Sequence, residues 1–163
     1  MDGLTMLLNR TQYEKDLERI KPPAVIINMD VDDFKQINDT SGHAAGDYYL
    51  RQIAEVIRTV YGRHGDCYRY GGDEFSLILT KNLHQMEKLN GMFEAALGQL
   101  REQDPQMPMV SLGYALYEGG IEALYATIEK ADAMMYRNKK VNDRAEIVAV
   151  SYTHLRAHET AAN

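Results

Sequence analysis

The chain has 163 residues, 45% of them hydrophobic, and a formal net charge of −6. That suits one domain with a substantial core, and the acidic balance argues against a nucleic-acid polymer as partner. A single cysteine, Cys67, excludes an internal disulfide, and apolar runs of about four residues, such as Ala24 to Ile27, fall far short of the roughly 20 that a membrane span needs. No signal peptide is expected, and the simplest location is a reducing cytoplasm.

Thr11 to Ile20 reads as a short helix, with Thr11 as N-cap and Glu14 completing a capping box, ended by Pro22-Pro23. Ala24 to Met29 reads as a buried central strand. Asp30 to Ser41 is polar and turn-rich. From about Ala44 to Tyr61, the apolar residues Tyr49, Leu50, Ile53, Val56, Ile57 and Val60 keep helical spacing. Gly71-Gly72, between Cys67-Tyr68-Arg69-Tyr70 and Phe75-Ser76-Leu77-Ile78-Leu79, reads as a hairpin turn. Glycines there permit positive φ and let a ligand approach the backbone. Leu83 to Leu100 reads as a second long helix closed by Pro105 and Pro108. Met109 to Tyr117 reads as a strand, Ile121 to Met135 as a third long helix, and Glu146 to Val150 as a last strand. This order suits helices packed on one sheet. Residues 1–150 are taken as one domain and 151–163 as a tail outside it, disordered or a sequence artefact.

Two acidic clusters stand at strand ends: Asp30-Val31-Asp32-Asp33 and Asp73-Glu74. If the two runs pair, Asp30 and Asp73 face each other and can bind Mg²⁺ together with phosphate oxygens. Two such ions would clamp the attacking and leaving oxygens of a phosphoryl transfer. Solvated acidic turns are the competing explanation. Lys35 suits a phosphate or plain solvent exposure. Gly42-His43-Ala44-Ala45-Gly46-Asp47 enters a helix whose free N–H groups favour an anion, or it is an ordinary turn.

In combination these residues resemble the GGDEF domains, the diguanylate cyclases. The resemblance runs from residue 2 to about 140. It is carried by Asp2-Gly3-Leu4-Thr5, by Asn28 to Asp39 with Gly42-His43 and Gly46-Asp47, and by Arg69-Tyr70-Gly71-Gly72-Asp73-Glu74-Phe75. Val110-Ser111-Leu112-Gly113, Ala131-Asp132, Tyr136 and Lys139 extend it. It implies an α/β (α+β) fold with a palm-like, mostly antiparallel central sheet flanked by helices, as in class III nucleotide cyclases. It also implies condensation of two GTP into cyclic di-GMP, with Mg²⁺ or Mn²⁺ ions, two per active site, at the interface of a transient homodimer.

By resemblance, Asp30, the Val31 carbonyl, Asp73 and Glu74 hold metal, and Asp73 and Glu74 are catalytic. Phe34, Lys35 and Lys139 meet the terminal phosphates, and Gly71 and Gly72 admit the α-phosphate. Asn38 and Asp47 read guanine, and His43 lies in the same nucleotide-binding segment. Arg63 and Asp66 have the letters of the family's product-inhibition pair, one residue too close to the hairpin. A helix-ending turn explains them equally. Where the family places a phosphate-binding arginine stands Asp143, with Arg144 next to it. The sensory domain usual before the opening signature is expected to be absent. A non-catalytic GTP-binding or cyclic di-GMP-sensing module is the alternative function.

Overall fold

The computed structural model describes the backbone of residues 1–162 and the side chains of residues 1–142. The elements are α1 (Arg10–Glu18), β1 (Ala24–Val31), α2 (Phe34–Ser41), α3 (His43–Tyr61), β2 (Gly65–Arg69), β3 (Glu74–Leu79), α4 (Met86–Gln103), β4 (Val110–Tyr117) and α5 (Ile121–Ala162). Apolar β1 is central because it can pair on both sides. It runs antiparallel to β3 and to β4, and β2 adds outside β3, giving the order β2-β3-β1-β4. The expected antiparallel sheet flanked by helices is therefore present.

Strand alternation divides the sheet into two unlike faces. Val25, Ile27, Met29 and Val31 lie with Phe75, Leu77, Leu79, Val110 and Leu112 on one face. There α3 lays down Tyr49, Leu50, Ile53 and Ile57, and α4 lays down Leu89, Phe93 and Leu97. The other face begins with Ala24 and Ile26 under α1 and the start of α5. It turns polar along β1: Asn28 faces Ser76, and Asp30 faces Glu74 on one side and Ser111 on the other.

Four local expectations are corrected. The first helix is Arg10–Glu18, capped by Asn9, whose Oδ1 accepts the Gln12 N–H at 2.9 Å; Glu14 instead pairs with Arg10 at 3.1 Å. The polar stretch after β1 holds α2, anchored by the buried Phe34 and entered through Asp33 at φ 54°. Glu146 to Val150 continues the backbone of α5. No glycine or proline stands between Ile121 and Asn163, so nothing in the chain stops that helix. Neither hairpin glycine has positive φ; among the described glycines only Gly42, Gly119 and Gly120 do. The side chains of Asp143, Arg144 and the 151–163 tail lie outside the described residues. No helix among the described residues is long and apolar enough to cross a membrane.

Candidate active site

The site forms where the polar ends of β1 and β3 meet the hairpin loop Tyr70–Asp73. The Val31 N–H donates to the Asp73 carbonyl at 2.9 Å, which ties the hairpin tip to the end of β1. Asp30 and Asp73 are thereby neighbours. Burial, and then the charge of Asp30, push the Asp73 carboxyl above its ordinary pKa. Glu74 is pushed up as well, by burial and then by Asp30 and Asp73. One oxygen of Asp30, Oδ2, receives Lys139 Nζ at 3.2 Å. The other, Oδ1, is buried without a hydrogen-bond partner among the described residues. An orphaned buried carboxylate oxygen is costly, and a divalent cation is the partner that would relieve it. No group of three His, Cys, Asp or Glu side chains converges among the described residues. A cation here would rest on the Asp30–Asp73 pair and complete its shell with ligand oxygens, as suits Mg²⁺.

Beside this pair opens a cavity of about 330 Å³ lined by Phe34, Lys35, Asn38, His43, Asp47, Leu50, Arg69, Gly72 and Asp73. Seven of the residues named from sequence meet there, drawn from α2, α3 and the hairpin. Two glycines allow the convergence. Gly42, at φ 91°, makes the sharp turn from α2 into α3. Gly46 lies so close to α2 that a Cβ would strike Asn38 Oδ1 and Phe34. No side chain caps the N-terminus of α2 or α3, so their first N–H groups stay available to an anion.

Arg69 braces the hairpin. Its guanidinium donates to the carbonyls of Gly71 (3.2 Å) and Gly72 (2.9 Å) and pairs with Asp2 (3.2 Å). Burial opposes the Asp2 charge, but the Thr5 hydrogen bonds and Arg69 outweigh it and hold the carboxyl below its usual range. Gly72 has open space where a Cβ would stand, whereas a Cβ on Gly71 would meet the Glu74 carboxylate. Close approach of a ligand is therefore argued at Gly72.

The remaining sequence-named residues fall elsewhere. Glu74 lines a separate cavity of about 350 Å³ with Asn28, Ser76 and Asp132, across the hairpin from Asp47. Lys139 reaches Asp30 from α5. Arg63, in the turn before the edge strand β2, and Asp66, within that strand, are exposed, and no ion pair joins them among the described contacts. Sequence reasoning missed Asp32 and its partners Ser111 and Asn142, and the bracing role of Arg69.

The model of the family "Diguanylate cyclase, GGDEF domain" matches residues 1–144. The chain belongs to the GGDEF family. Diguanylate cyclase DgcS of Shewanella oneidensis is 33% identical over 147 residues, 85% of this chain and 49% of that protein. Diguanylate cyclase DosC of Escherichia coli K12 is 31% identical over 152 residues, 86% of this chain and 33% of that protein. The chain thus spans a third to a half of the length of these curated relatives. The crystal structure of the GGDEF domain of DgcB from Caulobacter crescentus, in complex with c-di-GMP, superposes with a TM-score of 0.74 at 28% identity, covering 87% of this chain and 88% of that one.

Proposed function

We propose that residues 1–150 form a diguanylate cyclase domain, with 151–163 outside it, condensing two GTP into cyclic di-GMP and two pyrophosphates. The observation that carries the reading is the Asp30–Asp73 carboxylate pair, with its orphaned oxygen, at the rim of the cavity lined by Phe34, Lys35, Asn38, Asp47 and Gly72. In this reading Asp47 accepts from guanine N1–H and N2–H₂ and Asn38 completes the edge, with His43 beside them. Adenine lacks that donor pattern and would leave the Asp47 charge unpaired. The α-phosphate lies over Gly72 and Gly71, and the terminal phosphates lie against Phe34, Lys35 and Lys139.

Asp30, Asp73 and the Val31 carbonyl would hold Mg²⁺ or Mn²⁺, two ions per site. When bound, such ions neutralise phosphate charge and lower the pKa of a coordinated hydroxyl. The 3′-oxygen of one GTP forms a bond to the α-phosphorus of the other, the Pα–O bond to pyrophosphate breaks, and the hydroxyl proton leaves to a base. Glu74, on the same sheet face as Asp30 and with its carboxyl pushed up by burial and then by Asp30 and Asp73, suits that base or a further metal contact. One domain holds one GTP. The bond forms twice between two copies that face each other, and the complex is a transient homodimer acting in the cytoplasm. The Arg63/Asp66 pair is left out of the reaction.

Incubation with GTP and Mg²⁺, followed by product chromatography at rising protein concentration, tests this. Cyclic di-GMP should appear with a rate that grows faster than linearly in protein, since the partner is another copy. Calorimetric GTP binding without product at any concentration would favour the non-catalytic module instead.

A further inference from the structure

Just past the end of β1, two residues beyond Asp30, lies a carboxylate that the reaction does not use. Asp32 is 3% exposed, yet among the described residues no cation pairs with it. Its two oxygens accept from Ser111 Oγ at 2.7 and 3.0 Å and from Asn142 Nδ2 at 3.0 Å. Asn142 also reaches Ser111 Oγ at 3.1 Å, and the Asp32 N–H donates to the Met109 carbonyl at 2.9 Å. Three elements therefore meet at one buried acceptor: the end of β1, the start of β4 and the last described turn of α5. Burial raises the Asp32 carboxyl, and the Ser111 and Asn142 donors work against that rise. An apolar side chain would fill this place at less cost, so the carboxylate's distinctive contribution is to fix the direction of two donors.

Asn142 is one rung of a ladder. Going along α5, Asp132 accepts from Asn28 Nδ2 at 2.7 Å, Asn138 donates to the Leu112 carbonyl at 2.6 Å, Lys139 reaches Asp30, and Asn142 reaches Asp32. From Asp132 to Asn142 the helix rises about 15 Å. From Asn28 to Asp32, the residue just past β1, the extended chain advances about 13 Å. The two elements thus keep pace: Asp132 and Lys139 meet Asn28 and Asp30 of β1, Asn142 meets Asp32 just past its end, and Asn138 ties the helix to β4 between them. The ladder is possible because α5 lies directly on β4: a Cβ on Gly113 would strike the Ala131 carbonyl and the Met135 nitrogen. The contact at Asn142 closes the ladder just beyond Lys139. Without it, the turn carrying Lys139 is held, among the described contacts, from its N-terminal side only, and a long lysine loses its fixed reach.

We infer that Asp32, Ser111 and Asn142 form a positioning set that holds α5 in register with β1 so that the Lys139 ammonium stands at Asp30, where the proposed reading needs it for the triphosphate. The inference rests on that reading. The set acts through Lys139 and touches no substrate.

A double-mutant cycle on the whole chain tests it, read as the affinity of a non-hydrolysable GTP analogue with Mg²⁺ by calorimetry. Asn142→Ala should weaken binding about fivefold and Lys139→Met about tenfold or more, effects on the scale of 1 to 1.4 kcal/mol. In the double variant the loss should equal that of Lys139→Met alone. Turnover should show a raised KM with kcat little changed, because the terminal phosphates are held alike in ground and transition states. The exchange Asp32→Asn with Asn142→Asp reverses donor and acceptor and should restore part of the affinity lost in Asn142→Ala. Thermal melts report whether each variant folds; Asn142→Ala, at a partly exposed position, carries the test if Asp32→Asn does not. Independent, multiplying losses, or wild-type affinity in Asn142→Ala, would overturn the inference while leaving the GTP reading intact. No analogue binding by the wild-type chain would overturn both. Analogue binding without cyclic di-GMP would sink the reaction alone, and the coupling would still decide the positioning role.

Discussion

The two faces of the sheet are built from the same strands by the same alternation, and they do opposite work. Under α3 and α4 every inward residue of β1 is apolar and buried: Val25, Ile27, Met29, Val31. Under α5 the inward residues of β1 change from Ala24 and Ile26 to Asn28 and Asp30 within two turns of the pleat. The first face supplies folding free energy, and the second spends some of it on carboxylates crowded together. What this teaches is that the site's electrostatic strain is tolerable because the opposite face of the very same strands is closed. Perturbing each face in turn should separate stability from chemistry.

The largest stability effect belongs to the apolar face. Phe93 is fully buried against Tyr61, with ring centroids 5.8 Å apart. Phe93→Ala should cost about 3–5 kcal/mol, read as a drop in the denaturation midpoint. Any turnover per folded molecule should survive. A variant equally stable but inactive would break the division between faces.

On the polar face the order reverses. Asp73→Asn removes one of two repelling carboxylates, so the metal-free protein should melt higher than wild type. Its turnover should fall by about a thousandfold or more, the scale expected when a charge that holds a catalytic group is lost. Thermal melts in chelator and product assays in Mg²⁺ check the two halves. A lower melting point would show that Asp73 is a structural residue.

Gly46 tests the boundary between the faces. Gly46→Val forces a branched side chain against Asn38 and Phe34, so α2 must move away from α3. Guanine nucleotide affinity should fall at least tenfold by calorimetry, while the stability loss should stay near 1–3 kcal/mol. Unchanged affinity would remove Asn38 from the proposed guanine site.

Much of this could be read from the sequence, and the misses share a physical cause. The strand from Ala24, the helix ending at Tyr61 and the hairpin carry strong local periodicity, and the structure has them. The residues that meet in the 330 Å³ cavity were named because a family pattern holds them in order. The helix α2 was missed because Phe34 to Ser41 is rich in residues that compete with helix by local hydrogen bonding; Phe34, buried in the core, overrides that preference. Glu146 to Val150 has strand-like letters but no preceding stop signal. Asp32 was missed as anything more than part of an acidic run. Its partners lie 79 and 110 positions away, and no local pattern can report contacts that distant.

The smallest effect is the dependence of stability on pH, and its sign differs from one carboxyl to another. Burial, first among the causes, raises Asp32, Asp73 and Glu74 above ordinary carboxylate values near 4. In the fold these groups prefer to keep their protons. Their contribution to stability is full below the unfolded values and is lost as pH rises through the raised ones. Asp2 runs the other way: its lowered carboxyl contributes above the ordinary value and loses that contribution only as pH falls below it. As pH rises above the ordinary carboxylate value near 4, the three raised groups should therefore govern, and the metal-free protein should lose stability. Mg²⁺ should stabilise increasingly over the same range, because it binds the ionised carboxylates. Asp73→Asn should flatten part of the slope. Phe93→Ala should displace the whole curve and leave its slope alone, since Tyr61 beside that ring is pushed up by burial and stays protonated at these pH values. Thermal midpoints measured across this range in chelator, and again in Mg²⁺, read both. A metal-free midpoint that climbs toward neutral pH would mean that the polar face is not strained, and that its carboxylates are better paired than the bare oxygen on Asp30 implies.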